Sequence, residues 1–206
     1  MNFDQLLSML DTYRREQGFK EMDEIIALAE HNSIPDPFSV LISKTSKIGG
    51  GNTFYPCVTL KAVGAAILTV GDGNKFFSGV SISAETGPIT IGSFNEFGEG
   101  GFTAKTNRPG ACISFGDHGR YQGGAAVFGE SVLGSGSQLL GAVTVDSCTL
   151  GAGKSFKDGD PDSRGALLKG SGTARSLVLQ AGEVIQANGV FLAENIKPQS
   201  YFHPKG

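Results

Sequence analysis

The residues best suited to chemistry lie between positions 105 and 120 of the sequence. His118 follows Asp117 directly, and imidazole is the side chain that most readily accepts and returns a proton near neutral pH. The adjacent carboxylate could orient the ring if the local backbone folds back. Cationic and amide side chains bracket the pair and could bind a phosphate or carboxylate group: Lys105, Asn107, Arg108 and Arg120. The alternative interpretation is that these are ordinary surface residues of a turn and its flanking loop.

A second cluster consists of three aspartates that alternate along the segment 158–162. Alternating carboxylates resemble the start of a calcium-binding loop, in which successive oxygen ligands converge on one ion. The resemblance then ends, because Ser163 and Lys169 replace the glycine and the bidentate glutamate that such a loop needs. An acidic solvent-exposed loop is therefore expected, with a bound cation as the alternative. No other metal site is predicted, since the three histidines are widely scattered: His31, His118 and His203.

The distribution of glycine indicates which elements must position these groups. Glycine accounts for 31 of the 206 residues, about twice the usual share of ~7%. Only Gly18 precedes residue 49, so the chain divides into two architectures. The hydrophobic fraction of 39% is sufficient for a buried core. The net charge of -3 gives no electrostatic reason to expect nucleic acid or an anionic membrane as partner.

The segment 1–48 is predicted to form a short helical hairpin. Apolar residues recur at helical spacing in two stripes: Phe3, Leu6, Leu7, Leu10 and Tyr13, then Met22, Ile25, Ile26 and Ala29. Asn2 is suited to cap the first helix and Gly18 to end it, while Asn32 ends the second. Each helix would have one apolar face, which must pack against the main body or a neighbouring subunit.

The segment 49–197 has an internal repeat of six residues. Large apolar or aromatic side chains occur at every sixth position from Phe115: Phe115, Tyr121, Val127, Leu133, Leu139 and Val145. Two residues before each of these lies a second series, mostly of small residues: Ile113, Gly119, Ala125, Ser131, Ser137 and Val143. Two inward positions per hexapeptide predict a short strand followed by a tight turn. A helix is excluded, because six steps of ~100° do not return to one face.

The six-residue spacing continues on both sides with shifts in phase. Upstream it predicts inward positions at Val58, Gly64, Val70, Phe76 and Ile82, then at Ile91 and Phe97; downstream at Val178, Val184, Val190 and Ile196. Projecting loops are predicted where the phase breaks, near 83–90, 98–112 and 157–170. Strands this short must wind into a coil of about seven or eight turns with a parallel ladder. Pro198 is expected to end strand pairing, and Tyr201 and Phe202 to fold back from a tail at 198–206 and cover an edge or the last coil.

Three dipeptides resemble a known repeat: Ile91-Gly92, Phe115-Gly116 and Leu133-Gly134. They are similar to the hexapeptide repeat of left-handed parallel β-helix proteins, and the resemblance covers about residues 50–196. It implies a mainly β fold with a left-handed coil, a homotrimer, and sites in the clefts between prisms. Many members of that family are acyltransferases that use one histidine as general base. The resemblance thus implies acyl-CoA as co-substrate, His118 as catalytic base and Asp117 as its neighbour in the site.

Three functions follow as hypotheses. The first is an acyltransferase that moves an acyl group from acyl-CoA to a small sugar or amine. The second is a non-catalytic binding or scaffold module, and the third is an accessory protein of nucleotide-sugar metabolism. The sequence shows neither a signal peptide nor a membrane segment, and its three cysteines form no CxxC pair. A cytoplasmic protein with free thiols is therefore expected.

Overall fold

The computed structural model describes residues 2–203, which begin with the two predicted helices. Its two α-helices are α1 (Phe3–Glu16) and α2 (Met22–Ala29). The Asn2 side chain accepts the N–H of Gln5, and the Gln5 side chain accepts the N–H of Asn2, both at 2.9 Å. Gly18 lies just beyond the C-terminal end of α1 and has a φ of 75°, a left-handed conformation that glycine adopts without strain. Of residues 2–203, no helix combines the length and the apolar character needed to cross a bilayer.

Twenty-one β-strands, most of them two to five residues long, follow in the described chain. The first seven are β1 (Leu41–Ile42), β2 (Lys47–Ile48), β3 (Thr53–Phe54), β4 (Thr59–Ala62), β5 (Leu68–Val70), β6 (Lys75–Phe76) and β7 (Val80–Ala84). The next seven are β8 (Ile89–Ile91), β9 (Glu96–Gly98), β10 (Phe102–Lys105), β11 (Cys112–Phe115), β12 (Arg120–Gln122), β13 (Ala125–Phe128) and β14 (Glu130–Leu133). The last seven are β15 (Gln138–Leu140), β16 (Val143–Asp146), β17 (Thr149–Leu150), β18 (Leu167–Arg175), β19 (Val178–Leu179), β20 (Glu183–Phe191) and β21 (Lys197–Pro198). Three 3-10 turns complete them: Pro161–Ser163, Ala193–Asn195 and Gln199–Tyr201.

The strands pair into three stacks, so the chain winds as a parallel β-helix. Face 1 stacks β1, β4, β7, β10, β13 and β16, face 2 stacks β2, β5, β8, β11, β14, β17 and β19, and face 3 stacks β3, β6, β9, β12 and β15. The long strands β18 and β20 each run from face 3 on to face 1. Among the described residues, every ladder is parallel except that of β20 with β21. The predicted mainly β, parallel coil is confirmed, and it begins with β1, ahead of residue 49.

The hexapeptide repeat is confirmed in the middle of the coil. All twelve positions of the two series that start at Phe115 and Ile113 are buried. In this region Arg120 hydrogen-bonds to Gln138, 18 residues further on, which corresponds to three hexapeptides per coil. The upstream coils are longer, since Asn74 bonds to Asn52 across 22 residues and Gly119 bonds to Asn95 across 24. The inserted residues lie in loops, and loops occur near the predicted breaks at 83–90 and 157–170. The predicted loop at 98–112 is wrong in its middle, where β10 runs with Phe102 and Ala104 buried.

Three of the predicted inward positions are wrong. Gly64 is exposed in a loop between β4 and β5, so the six-residue steps from Val58 to Val70 do not follow one continuous repeat there. Val178 and Val190 point outward, with 58% and 67% of their surface exposed. The core there is filled instead by a neighbouring series with the same spacing: Leu179, Ile185 and Phe191. Since side chains alternate along a strand, an error of one residue moves the whole series to the opposite face.

The two helices attach to the coil in different ways. Helix α2 packs with half of its predicted stripe, since Met22 and Ile25 are buried whereas Ile26 is 60% exposed and Ala29 is also exposed. The apolar face of α1 is not buried against the coil, because Phe3 is 62% exposed and Tyr13 is also exposed, so packing against a neighbouring subunit stays a prediction. The only buried side chain of α1 is Arg14, so this helix is held by a polar anchor near its C-terminal end.

The C-terminal segment differs from the prediction in part. Pro198 is the last residue of β21, which pairs with the start of β20, so strand pairing ends at Pro198 as predicted. The residue that folds back into the body is Gln199, which is buried and donates to the carbonyl of Gly165 at 2.7 Å. Tyr201 is exposed, and Phe202 lies over the outer surface of β18 and β20. Residues 204–206 of the predicted tail lie outside the described residues.

The turn from face 2 to face 3 repeats a Gly-x-x-Asn sequence in three successive coils, at 49–52, 71–74 and 92–95. We call this turn the glycine–asparagine corner. The N–H and Nδ2 of Asn74 donate to Oδ1 of Asn52 at 2.8 and 3.1 Å, and Asn95 donates to Asn74 in the same way. Asn32 continues this asparagine ladder below, and the N–H of Gly119 ends it above. All three corner asparagines are fully buried, so the ladder satisfies polar groups inside the turn.

Two glycines with free space around them can test whether the tight turns need glycine for its left-handed backbone conformation. A Cβ added at Gly79 or at Gly159 would meet no atom within 4 Å, but only Gly79 has a left-handed φ, of 79°. Gly79→Ala is therefore expected to lower the free energy of unfolding by about 1 kcal/mol through backbone strain alone. Gly159→Ala is expected to leave it unchanged or raise it by up to about 1 kcal/mol. Urea denaturation of both variants measures the difference, and equal effects would contradict a role for backbone conformation.

Candidate functional site

His118 occupies the third position of the turn that follows the glycine–asparagine corners in the stack. In three other coils this position is glycine with φ between 66° and 72°: Gly51, Gly73 and Gly136. His118 and Phe94 hold the same left-handed conformation, with φ of 58° and 59°. Histidine tolerates this region better than most residues, whereas a bulky phenylalanine there is a true outlier. Non-glycine residues in strained conformations concentrate at functional sites, which directs attention to this corner.

The two strained residues form an aromatic stack on the outside of the coil. The rings of Phe94 and His118 are 5.2 Å apart and nearly parallel, at 9°. Phe94 is 56% exposed despite its apolar ring, and it lies against Gly73 in the coil below, where a Cβ would collide with it. The stack therefore fixes the plane of the imidazole and leaves His118 accessible to solvent.

The stack forms one wall of a groove of about 250 Å³, which we call the His118 groove. Face 3 contributes Lys75 and Glu96, and a loop from the far end of the coil contributes residues 155–157. The lining combines one carboxylate, one imidazole, two ammonium groups and two aromatic rings: Glu96, His118, Lys75, Lys157, Phe94 and Phe156. The groove offers a proton acceptor beside positive charge, an arrangement that can activate a hydroxyl or amine and hold an anionic or polar ligand.

Asp117 makes hydrogen bonds that belong to the coil. Its Oδ1 accepts the N–H of Ser93 at 2.7 Å, and its own N–H donates to Oγ of Ser135 at 3.0 Å. Asp72 has the same role two coils earlier in the stack, where it accepts the N–H of Gly50 at 2.7 Å. Within residues 2–203, no hydrogen bond joins Asp117 to His118. The carboxylate thus links successive coils, and Phe94 is the side chain that orients the imidazole.

Arg120 lies close to the His118 groove, on the far side of Phe156. Its guanidinium carbon is 4.2 Å from the centre of the Phe156 ring, and one terminal nitrogen donates to Gln138 at 2.8 Å. Burial lowers the pKa of Arg120, and the neighbouring carboxylates Glu96 and Glu99 partly oppose that effect. Of the four cationic and amide residues predicted to bracket His118, Arg120 is the one that the structure places near it.

The other three predicted ligand-binding residues lie at a different corner. Lys105 is the last residue of β10 on face 1, and Asn107 is exposed in the loop that follows. Arg108 forms an ion pair with Asp146 and also donates to Ser147 at 3.2 Å. Strand β11 separates this corner from the one that holds His118, and four extended residues span about 13 Å. The pair lowers the pKa of Asp146, chiefly through the hydrogen bond from Arg108.

The acidic segment 158–162 folds onto its own neighbours. The Asp158 carboxylate accepts the N–H of Asp160 at 3.0 Å and Oγ–H of Ser163 at 3.0 Å, and it pairs with Lys154 at 3.2 Å. These contacts lower the pKa of Asp158, with the hydrogen bond from Asp160 as the largest cause. Across residues 2–203, no three histidine, cysteine or carboxylate side chains are grouped as metal ligands would be. The three cysteines are free thiols, as expected.

Sequence reasoning located His118 and Arg120 but missed the side chains that complete the groove. Lys75, Phe94 and Glu96 precede His118 by one or two coils, and the segment 155–157 follows it by two. One signal was available, because alignment of the corner sequences Gly-Asp-Gly-Asn, Gly-Ser-Phe-Asn and Gly-Asp-His-Gly places Phe94 directly below His118. The segment 155–157 gave no such signal, since its approach depends on how a long loop folds.

The fold and groove define a parallel β-helix with a small polar and aromatic site at one corner. Neither a protein-family model nor a curated protein sequence matches the chain.

Proposed function

We propose that the protein is an acyltransferase in which His118 is the general base. The observation that supports this proposal best is the strained, stacked and solvent-accessible imidazole in a groove that also contains ammonium groups. A turn would adopt this conformation more readily with glycine, so the histidine is retained at some conformational cost. The resemblance to hexapeptide-repeat proteins adds acyl-CoA as the donor and a small sugar or amine as the acceptor.

In the proposed reaction the acceptor binds in the His118 groove with its hydroxyl or amine against the imidazole. The acceptor oxygen or nitrogen attacks the thioester carbonyl, a new C–O or C–N bond forms, and the C–S bond breaks. His118 takes the proton from the acceptor and returns it to the departing thiolate. Lys75 and Lys157 would supply positive charge for polar groups of the acceptor.

The volume of the groove is relevant to the oligomeric state of the protein. At about 250 Å³ it lies just below the ~300–1,000 Å³ typical of ligand pockets, so one chain would enclose the acceptor but not the donor. The proposal therefore includes the homotrimer that the family resemblance implies, in which a neighbouring prism would complete the donor site. The left hand of the coil, the cytoplasmic location and the absence of nucleic-acid partners belong to the same proposal.

The decisive experiment compares acyl transfer by the wild type, His118→Asn and His31→Asn. Asparagine tolerates a left-handed φ, so His118→Asn removes the base with little added strain. A panel of acyl-CoA donors with amine and sugar acceptors is assayed by release of free thiol. Turnover is expected in the wild type and in His31→Asn, whose histidine is exposed beyond α2. His118→Asn is expected to lose turnover while melting within a few degrees of the wild type. Full activity of His118→Asn would exclude the mechanism.

A second candidate function is binding of a nucleotide-sugar without turnover. The two aromatic rings and two lysines of the groove favour it, because such ligands carry planar bases and negative charge. Titration calorimetry with nucleotide-sugars tests this candidate directly. Binding that weakens in Phe94→Ala, together with no thiol release from any donor, would support binding over catalysis.

A further inference from the structure

A crevice of about 60 Å³ lies across Phe156 from the His118 groove. Three cationic side chains from three separate segments line it: Arg120 of β12, Arg164 of the loop after β17, and Lys169 of β18. The buried side chains of Gln138 and Gln199 add amide groups to the same lining. The crevice therefore brings positive charge together from different coils in a protein whose net charge is negative.

The three cations have no carboxylate partner in the region of the chain that the structure describes. Within residues 2–203, no carboxylate oxygen lies within 4.0 Å of a side-chain nitrogen of Arg120, Arg164 or Lys169. Nε and one terminal nitrogen of Arg164 donate to the backbone carbonyl of Asp158, at 2.9 and 2.5 Å. Glu96 and Glu99 are near enough to influence Arg120 but form no ion pair with it. Like charges held together without neutralisation repel one another, so a bound anion would relieve the repulsion.

A second observation concerns the guanidinium of Arg120 itself. Its Nε is buried and, among the described residues, has no hydrogen-bond partner. A buried N–H without a partner is unusual and carries a desolvation cost, more so on a charged group. One terminal nitrogen donates to Gln138, and the guanidinium has further N–H donors besides that one.

We propose that the crevice binds a tetrahedral oxyanion, namely a phosphate group held by Arg120, Arg164 and Lys169. The volume of about 60 Å³ is large enough to admit a phosphate group. Guanidinium groups suit such an anion because their N–H donors match the spacing of its oxygens. The group is either inorganic phosphate or the terminal phosphate of a larger ligand. This proposal does not depend on acyl transfer, because none of the three residues is assigned to that reaction.

Binding of sodium phosphate is measured by calorimetry and by thermal shift, with sodium chloride at equal ionic strength as reference. Phosphate is expected to raise the Tm above the chloride value, since a ligand stabilises the state it binds. Lys169→Gln and Arg164→Gln are each expected to weaken phosphate binding about tenfold. Lys47→Gln, which removes an exposed lysine from the first coil on face 2, is the matched control and is expected to bind as the wild type does.

Two further ligands are tested. Methyl phosphate distinguishes an esterified ligand from inorganic phosphate, and acetate tests whether the site prefers a tetrahedral anion. Methyl phosphate that binds at least as tightly as inorganic phosphate would support an esterified ligand, and preference for the free ion would support inorganic phosphate. Acetate is expected to bind at least about tenfold more weakly than either. The proposal is overturned if phosphate gives no shift beyond chloride, if acetate binds equally, or if Lys169→Gln binds like the wild type. Lys169 is exposed, so its variant tests the site even if Arg164→Gln loosens the loop.

Discussion

Replacement of Asn74 by alanine is expected to lower the free energy of unfolding by about 3 kcal/mol. Asn74 lies in the middle of the asparagine ladder and is fully buried. Its Oδ1 accepts two hydrogen bonds from Asn95, at 2.9 and 3.0 Å, and its Nδ2 donates to Asn52 and to the carbonyl of Gly92. Alanine would leave the backbone N–H of Asn95 buried without a partner, and the space would be too confined for easy rescue by water.

The matched control for this prediction is Asn107→Ala. Asn107 is exposed, and its side chain makes no hydrogen bond within residues 2–203, so its loss should change stability by less than about 0.5 kcal/mol. Urea denaturation followed by circular dichroism measures both variants. Equal stability of Asn74→Ala and Asn107→Ala would show that the ladder contributes nothing to the fold.

Replacement of Arg14 by alanine is expected to have an effect of about 4 kcal/mol, concentrated at the N-terminal end. The guanidinium is buried and donates to four backbone carbonyls, at 3.0 to 3.2 Å: Lys20, Pro37, Phe38 and Val40. Burial lowers the pKa of Arg14, and the nearby Asp11 opposes that effect. Removal of the guanidinium would leave these carbonyls with fewer partners and release α1, which has no apolar anchor.

The adjacent Arg15 provides the control, because its side chain is exposed and pairs with Glu21. Exposed ion pairs contribute about 0–1 kcal/mol, so Arg15→Ala should be nearly neutral. Hydrogen exchange is expected to show that Arg14→Ala loses protection in α1 and in the segment 37–40 while the coil keeps it. Arg14→Lys retains the charge but not the fork of donors and should fall between the two. Protection of α1 that is unchanged in Arg14→Ala would refute the anchor.

Prediction of the inward positions from sequence succeeded throughout the coils of three hexapeptides and failed at three positions outside them: Gly64, Val178 and Val190. From Phe115 to Val145 the spacing of six coincides with strand and turn, so every inward position was correct. Downstream, Val178 and Val190 compete with Leu179 and Phe191, and both series are apolar with the same spacing. Hydropathy alone cannot separate two such series, because burial depends on which side of the strand faces the coil.

The candidate site was less predictable because its members come from different coils. His118 was identifiable as a turn residue from the repeat itself. Its contacts depend on coil lengths, which vary from 18 to 24 residues in this region and place Phe94 rather than Asp117 against the imidazole. Arg108 and His118 are separated for a different reason. Strand β11 lies between them in the chain, so the two residues are at different corners of the coil.

The glycine–asparagine corner has a consequence for how such a chain can evolve. The hydrogen bonds that the corner asparagines make between coils reach only the coil directly above or below, so a duplicated or deleted coil would meet the same hydrogen-bond partners. Differences in coil length accumulate elsewhere around the circumference, as the loops after β4 and β17 illustrate. Insertions at those positions can change what the surface binds without disturbing the register. The protein is thus built so that new loops, and with them new sites, can be gained while one edge of the coil stays constant.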